Sequence, residues 1–276
     1  MQVRVDGLFV YPVKSCGGVR LDAARVMTTG FEWDRRWMVV GADGRFLSQR
    51  EHPRLALVRA KLTDDRLVLS APHLVDFPVP LEGTPDVPVR VTVWRDECDA
   101  IDEGVAAAQW FTDHLGVDAR LVRLADDDAR PLGTSAAQPG DRVSFADAYP
   151  FLLLSQASLQ RLNNRLNLPV PMDRFRPNIV IDGCEPHAED SWGAVRIGEV
   201  DFAVAKPCSR CVVTTTDQQT GERGREPLQT LATYRLQEGQ VLFGQNLVHR
   251  GTGTVRRGDR VVILALHRHP TSFCDD

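Results

Sequence analysis

Cys208 and Cys211 stand three apart, with Arg210 between them, in the stretch Lys206-Pro-Cys-Ser-Arg-Cys-Val-Val-Thr-Thr-Thr-Asp217. A thiolate at neutral pH needs positive charge or a metal beside it. Arg210 supplies charge, and soft sulfur suits a metal. Cys-x-x-Cys is often half of a zinc site, but structural zinc takes four ligands. The remaining cysteines, Cys16, Cys98, Cys184 and Cys274, make no second such pair, and His267 and His269 are too close together for a finger. The two thiols therefore read as having separate fates, one open to a metal held by something other than protein. A thioredoxin-like redox pair would open a helix. Here the β-branched run predicts a strand over 211–216, which argues against that role.

Cations gather in three other places. Tyr11-Pro-Val-Lys-Ser-Cys-Gly-Gly18 ends a predicted strand with Lys14, Ser15 and two glycines, a set that can hold a phosphate. It is no P-loop, since the glycines follow the lysine, and alone it reads as a turn. In Asp34-Arg-Arg-Trp37 adjacent strand residues face opposite ways, so Arg35 can face a pocket while Arg36 reads as surface charge. Arg174-Phe-Arg-Pro-Asn178 offers two arginines on one face, with Pro177 favouring extended backbone before it and Asn178 at the mouth of a strand. Together these give Lys14, Arg35 and Arg176 for an anion beside a reactive cysteine. Other chemistries are thinner. The seven histidines are scattered in polar or loop-like contexts, so no hydrolase triad is apparent. His187-Ala-Glu-Asp190 reads as a surface turn rather than a metal site, and Asp126 to Asp128 as a solvated run.

The elements that must position these residues are mostly strands. Strand patterns open the chain at Val3, Val5, Leu8 and Val10 and recur at Trp37–Leu47 around an Asp43-Gly44 turn. They continue at 55–62 with 67–69, at 89–94, and at 178–181, 195–204, 240–248 and 259–265. The prolines from 78 to 88 and the polar residues 125–141 predict loops. Helices are predicted over 103–115, capped by Asp102 and ended by Gly116, over 155–166 capped by Ser155, and from Pro227 to about 236. The first would bury Val105, Ala108, Phe111 and Leu115. No βαβ series or dinucleotide glycine fingerprint appears. The fold class is mainly β with packed helices (α+β), in barrel-like halves.

Composition agrees. The 276 residues carry a net charge of -4 and a pI near 6.0, which argues against nucleic acid as partner. Lysine occurs only at 14, 61 and 206, while arginine, with its planar fork, is abundant. No apolar run approaches the roughly 18 residues of a membrane span. No leader opens the chain and the thiols form no disulfide scaffold, so a cytoplasmic location is expected.

The ordered set Tyr-Pro-Val-Lys-Ser-Cys16, Asp-Arg-x-Trp37, Phe-Arg-Pro-Asn178, Ala-Glu-Asp-Ser-Trp192, Cys-Ser-Arg-Cys211 with Thr-Thr-x-Asp217, Glu226-Pro-Leu-x-Thr-Leu231 and Leu242-Phe-Gly-Gln245 resembles the MOSC proteins that carry a MOSC N-terminal β-barrel domain, within them the amidoxime-reducing components and bacterial relatives. The resemblance spans nearly the whole chain. It implies a MOSC N-terminal domain over 1–120, a MOSC domain over 121–276, and a molybdenum cofactor, a pterin dithiolene with a phosphate. It implies that Cys211 ligates the metal and Cys208 does not. Lys14, Ser15, Arg35, Arg176 and Asn178 would hold the pterin and phosphate. Asp147, Ala148 and Tyr149 would contact the cofactor through backbone, since Ala148-Tyr149 replaces small hydroxyl residues of the family. Arg210 and Asn246 would lie near the metal, Asn246 on the substrate side. The implied activity is reduction of N-hydroxylated compounds such as amidoximes and hydroxylaminopurines. Electrons would come from a separate protein, because no plant-type cysteine series for an iron–sulfur cluster exists. The alternative is a cofactor carrier or sulfur-handling module without turnover.

Overall fold

A computed structural model describes residues 2–82, 87–125, 129–134 and 137–267. Asp126 to Asp128, His269 and Cys274 lie outside the described residues. Among those described, strands dominate. The largest sheet has nine strands, running Val19–Leu21, Arg4–Val10, Ile179–Asp182, Phe151–Ser155, Gln240–Arg250, Val200–Ser209, Trp192–Ile197, Val261–Leu266, with Leu236–Gln237 paired onto Gln240–Arg250. The first strands of the chain thus lie in the same sheet as its last ones. A four-stranded sheet joins Trp37–Val40, Arg120–Leu124, Asp96–Asp102 and Pro88–Val93. A three-stranded sheet holds Arg59–Leu62, Arg66–Ser70 and Phe77–Pro80. The large sheet buries Leu8, Val10, Phe31, Phe151, Ile179 and Phe202 among others, while Val13, Trp37, Leu55, Phe111 and Leu121 fill a second core under the first half.

Phe151–Ser155 and Ile179–Asp182 pair in parallel, and the helix Gln156–Asn163 bridges them in a single β-α-β crossover. Ser155 caps that helix as expected, its side chain accepting from Ser158 N. The helix stops at Asn163, short of the predicted 166.

The first helix runs Val105–Leu115 and ends on Gly116 in the left-handed conformation. Gly104, not Asp102, is its N-cap residue, and Asp102 Oδ1 accepts from Gly104 N instead. Its buried face is Ala107, Trp110, Phe111, His114 and Leu115, whereas Val105 is 86% exposed. The large Trp110 ring, packed edge-on against Phe111 at 4.9 Å, turns the helix away from the simple aliphatic stripe.

Other departures have local causes. The strand Val200–Ser209 stops before Cys211, and Val212–Thr215 is a 3-10 turn rather than a strand. Thr214 Oγ1 donates to Cys211 O at 3.0 Å and Thr215 Oγ1 to Val212 O at 2.8 Å, so the hydroxyls satisfy carbonyls that a sheet would otherwise need. The helix after Pro227 is only Leu228–Ala232. Phe77–Pro80, in the predicted proline loop, is an edge strand, where a missing N–H is tolerated. Pro53–Leu57 is a 3-10 turn, so only Arg59–Leu62 pairs with Arg66–Ser70. The Asp43-Gly44 turn forms, with Gly44 at φ +75°, but its return strand shrinks to a bridge between Val40 and Phe46.

The segment 187–190 is not a surface turn: Glu189 and Asp190 are buried, and His187 and Ala188 half-buried. Glu189 accepts from Ser155 N, Ser155 Oγ and Ser158 Oγ, and Asp190 accepts from Arg235 and Gln245. His114 and His249 are also buried. Burial first, then Arg235, Arg161 and Arg165, push the His187 imidazole down to about 3. An unfolded chain takes up this proton near pH 6.5, the folded one only near 3, so His187 costs stability as pH falls through that window. His187→Asn, which tolerates the left-handed backbone at this position (φ +63°), is expected to lose less stability than wild type between pH 7 and pH ~4. Urea melts at both pH values check this; equal losses in the two proteins would refute it.

Candidate functional site

The site forms where the first strand and the turns of the first half meet the Val200–Ser209 and Gln240–Arg250 strands. After Val10 the chain leaves the large sheet, and Lys14 N donates to Trp37 O at 2.8 Å. That carries Lys14 and Ser15 from one sheet to the other. Lys14 Nζ donates to Phe145 O at 2.7 Å and pairs with Asp147. Burial pulls the Lys14 ammonium down, and Asp147 opposes that. Crowding would raise the Asp147 carboxyl, but Lys14 and then Arg50 outweigh it and hold the group below the usual carboxylate range.

Arg35 pairs with the buried Asp34, and its Nη1 donates to Asn178 Oδ1 at 3.1 Å. Arg35 and Arg176 both lie over the Tyr11 ring, at 4.4 and 4.2 Å from its centroid. Arg176 Nη1 also donates to Cys16 O at 2.6 Å. Burial lowers the Arg176 guanidinium and pushes the Cys16 thiol up to about 12, so Cys16 packs as a neutral side chain. Asn178 spends its amide inside the protein, on Phe9 O, Leu152 N and Arg35. Its work is to knit three segments and aim Arg35.

Ser15, Arg35 and Arg176 all have positive φ (69°, 49° and 56°). Non-glycine residues in this region are strained and cluster where function over-determines the backbone. Arg176 thereby departs from the extended conformation expected before Pro177; its N–H closes a turn onto Asp173 O at 3.2 Å.

These groups line one cavity of ≈ 330 Å³, with Asp147, Ala148, Tyr149, Asn246, Arg210, Cys208 and Cys211. All the residues expected from the sequence to make the site are therefore brought together. Arg174 is not. Its guanidinium turns to Thr214 O, Glu226 O and Asp217. Arg210 serves the first cysteine rather than the second, donating to Cys208 Sγ at 2.9 Å and to Phe175 O at 2.7 Å. Asn246 Nδ2 lies 3.4 Å from the Lys206 and Pro207 carbonyls.

The charge beside Cys211 comes from Arg50, whose Nη2 lies 3.5 Å from Cys211 Sγ. Sequence reasoning missed it, because 161 positions separate the two residues and Ser48-Gln49-Arg50 resembles no ligand motif. Lys206, over the Tyr149 ring at 5.8 Å, was also missed. Among the described lining residues, Lys14, Arg35, Arg50, Arg176, Lys206 and Arg210 are cationic and Asp147 alone is a carboxylate. Such an excess favours an anionic ligand. No group of three or more His, Cys, Asp or Glu among the described residues could hold a metal, so a metal here would need a ligand that brings its own donors.

Comparison with known proteins matches residues 2–118 to the MOSC N-terminal beta barrel domain and residues 140–262 to the MOSC domain. The chain is 38% identical to mitochondrial amidoxime-reducing component 1 of Homo sapiens, over 94% of this chain and 82% of that protein. The chain belongs to the MOSC family. Mitochondrial amidoxime reducing component 2 of Bos taurus is 35% identical over 93% of this chain and 82% of its own length. Molybdenum cofactor sulfurase of Oryza sativa subsp. japonica is 32% identical over 88% of this chain but only 32% of its own length. Among the described residues no helix is long and apolar enough to cross a membrane.

Proposed function

We propose that this MOSC protein is a molybdenum-cofactor-dependent reductase of N-hydroxylated compounds such as amidoximes and hydroxylaminopurines, fed with electrons by a separate donor protein. The observation that carries this reading is a half-buried thiol, Cys211, beside Arg50 in a cavity with six cations and one carboxylate, the cavity's other thiol, Cys208, being engaged by Arg210. The donor set fits a group that brings a phosphate for the cations and further sulfur donors for a soft metal, leaving one place for a protein thiolate. Cys211 would be the protein's ligand to molybdenum. Lys14, Ser15, Arg35 and Arg176 would bind the phosphate and pterin, Asn178 holding Arg35 in line. Asp147, Ala148 and Tyr149 would border the pterin, Asp147 also keeping Lys14 in place. When bound, the cofactor would pass on two electrons from the donor protein, which with two protons from solvent convert an N–OH group to N–H and water, a redox step no side chain here can perform. Arg210 stiffens the floor through Phe175 O, and Asn246, on the strand facing Lys206, offers a side-chain amide to a substrate.

The sulfurase match favours a second reading, a cofactor carrier without turnover. Protein purified from a cofactor-competent host is expected to hold about one molybdenum and one pterin per chain and to reduce an aromatic amidoxime with a chemical reductant. Metal and pterin without turnover would select the carrier. Zinc without pterin would overturn both.

A further inference from the structure

Gln49 and Arg50 belong to the first half of the chain, yet they are clamped to the second. Gln49 and Gln218 exchange amide hydrogen bonds at 3.1 and 3.0 Å, and both are buried. Gln49 Nε2 also donates to Ser15 O at 2.6 Å. Arg223 donates to the Gln49 carbonyl and, at 3.0 Å, to the Arg50 carbonyl. Ser48 Oγ accepts from Arg50 N at 3.2 Å. A backbone tied at this many points holds the Arg50 side chain at the cavity wall.

The side chain is then held from three directions. Its guanidinium lies 4.7 Å over the Trp94 ring, Nη2 is 3.6 Å from Asp147 Oδ2, and the same nitrogen is 3.5 Å from Cys211 Sγ. Trp94 is itself fixed, with Nε1 donating to Asp147 Oδ1 at 3.2 Å, its ring edge-on to Phe46 at 5.0 Å, and a strained φ of +60°. A planar fork can stack, pair and donate at once, which an ammonium cannot.

We infer that Arg50 is a positioning residue acting through Cys211, its charge and N–H donor drawing electron density from the sulfur and so setting how readily a metal bound there is reduced. The inference rests on the molybdenum reading above. Donors and charges around a ligating thiolate tune the metal's potential, because they stabilise the more electron-rich state. Removing Arg50 therefore makes reduction harder and moves the potential negative.

The test uses wild type, Arg50→Gln, Arg50→Lys and Trp94→Leu from a cofactor-competent host. Molybdenum and pterin are counted per chain, and the metal's EPR signal is followed through a redox titration. Arg50→Gln is expected to keep metal and pterin, to titrate at a more negative potential with a displaced signal, and to lose about tenfold in turnover. Arg50→Lys shifts less, and Trp94→Leu moves the same way as Arg50→Gln. An unchanged potential and signal in loaded Arg50→Gln overturns the inference alone. So does loss of pterin with an unchanged potential in the molecules that remain loaded, which would make Arg50 a phosphate anchor. Wild type without molybdenum overturns the molybdenum reading and this inference with it, before any variant is compared.

Discussion

Cys211→Ala is expected to reduce turnover of an N-hydroxylated substrate to below about one-thousandth of wild type, equivalent to about 4 kcal/mol of barrier. The thiol is the one soft donor from the Cys-x-x-Cys pair that the cavity sets beside Arg50, since Cys208 is engaged by Arg210 at 2.9 Å. Losing it leaves Lys14, Arg35 and Arg176 untouched, so the pterin should remain while the metal is lost or bound without its protein ligand. The fold should survive, because Cys211 is half-buried and its side chain receives only the Arg50 contact among the described hydrogen bonds. Cys208→Ala supplies the contrast and is expected to retain molybdenum. Metal content, pterin fluorescence and turnover measured side by side decide the matter. Full turnover in Cys211→Ala ends the reductase reading, and equal metal loss in both variants ends the division of labour between the two thiols.

Residue types made it legible that cations and thiols could share a site: they offered Lys14, Arg35 and Arg176 for an anion and a Cys-x-x-Cys pair for a soft metal, while the choice of Cys211 over Cys208 came from the resemblance. The backbone was not legible. Ser15, Arg35 and Arg176 sit at positive φ, a state that residue type alone argues against and that only the surrounding contacts enforce. The Val212–Thr215 turn was hidden because β-branched residues favour strands in general, whereas here two threonine hydroxyls bond back to the chain. Arg50 was illegible for a different reason. Its partners Arg223 and Cys211, and Gln218, which clamps the neighbouring Gln49, lie more than 160 positions away, and only the meeting of the two halves brings them together. Shorter separations, 45 and 55 positions, hide the 187–190 segment in the same way, since its polar residues suggest a surface until Arg235 and Gln245 arrive from later in the chain.

Arg235→Met is expected to cost about 3–5 kcal/mol, because it removes one partner of a buried ion pair and leaves the other charge uncompensated. Arg235 Nη2 donates to Asp190 Oδ2 at 2.6 Å, with the side chains 2% and 9% exposed. Its Nε donates to Leu242 O at 3.0 Å, and Gln245 Nε2 donates to Asp190 Oδ1 at 2.6 Å. One network thus ties the 188–191 turn to the Gln240–Arg250 strand at two points. That strand carries Asn246 into the cavity, so slackening it should loosen the substrate side before it disturbs the cations on the first half. A loss of this size corresponds to a fall in Tm of roughly 10 °C. Asp190→Leu with Arg235→Met should recover much of the loss, since two apolar residues bury no unpaired charge. Thermal melts of the two single variants and the double variant test this. A single variant within 1 °C of wild type, or a double variant as unstable as the sum of the singles, would show that the pair does not hold the strand.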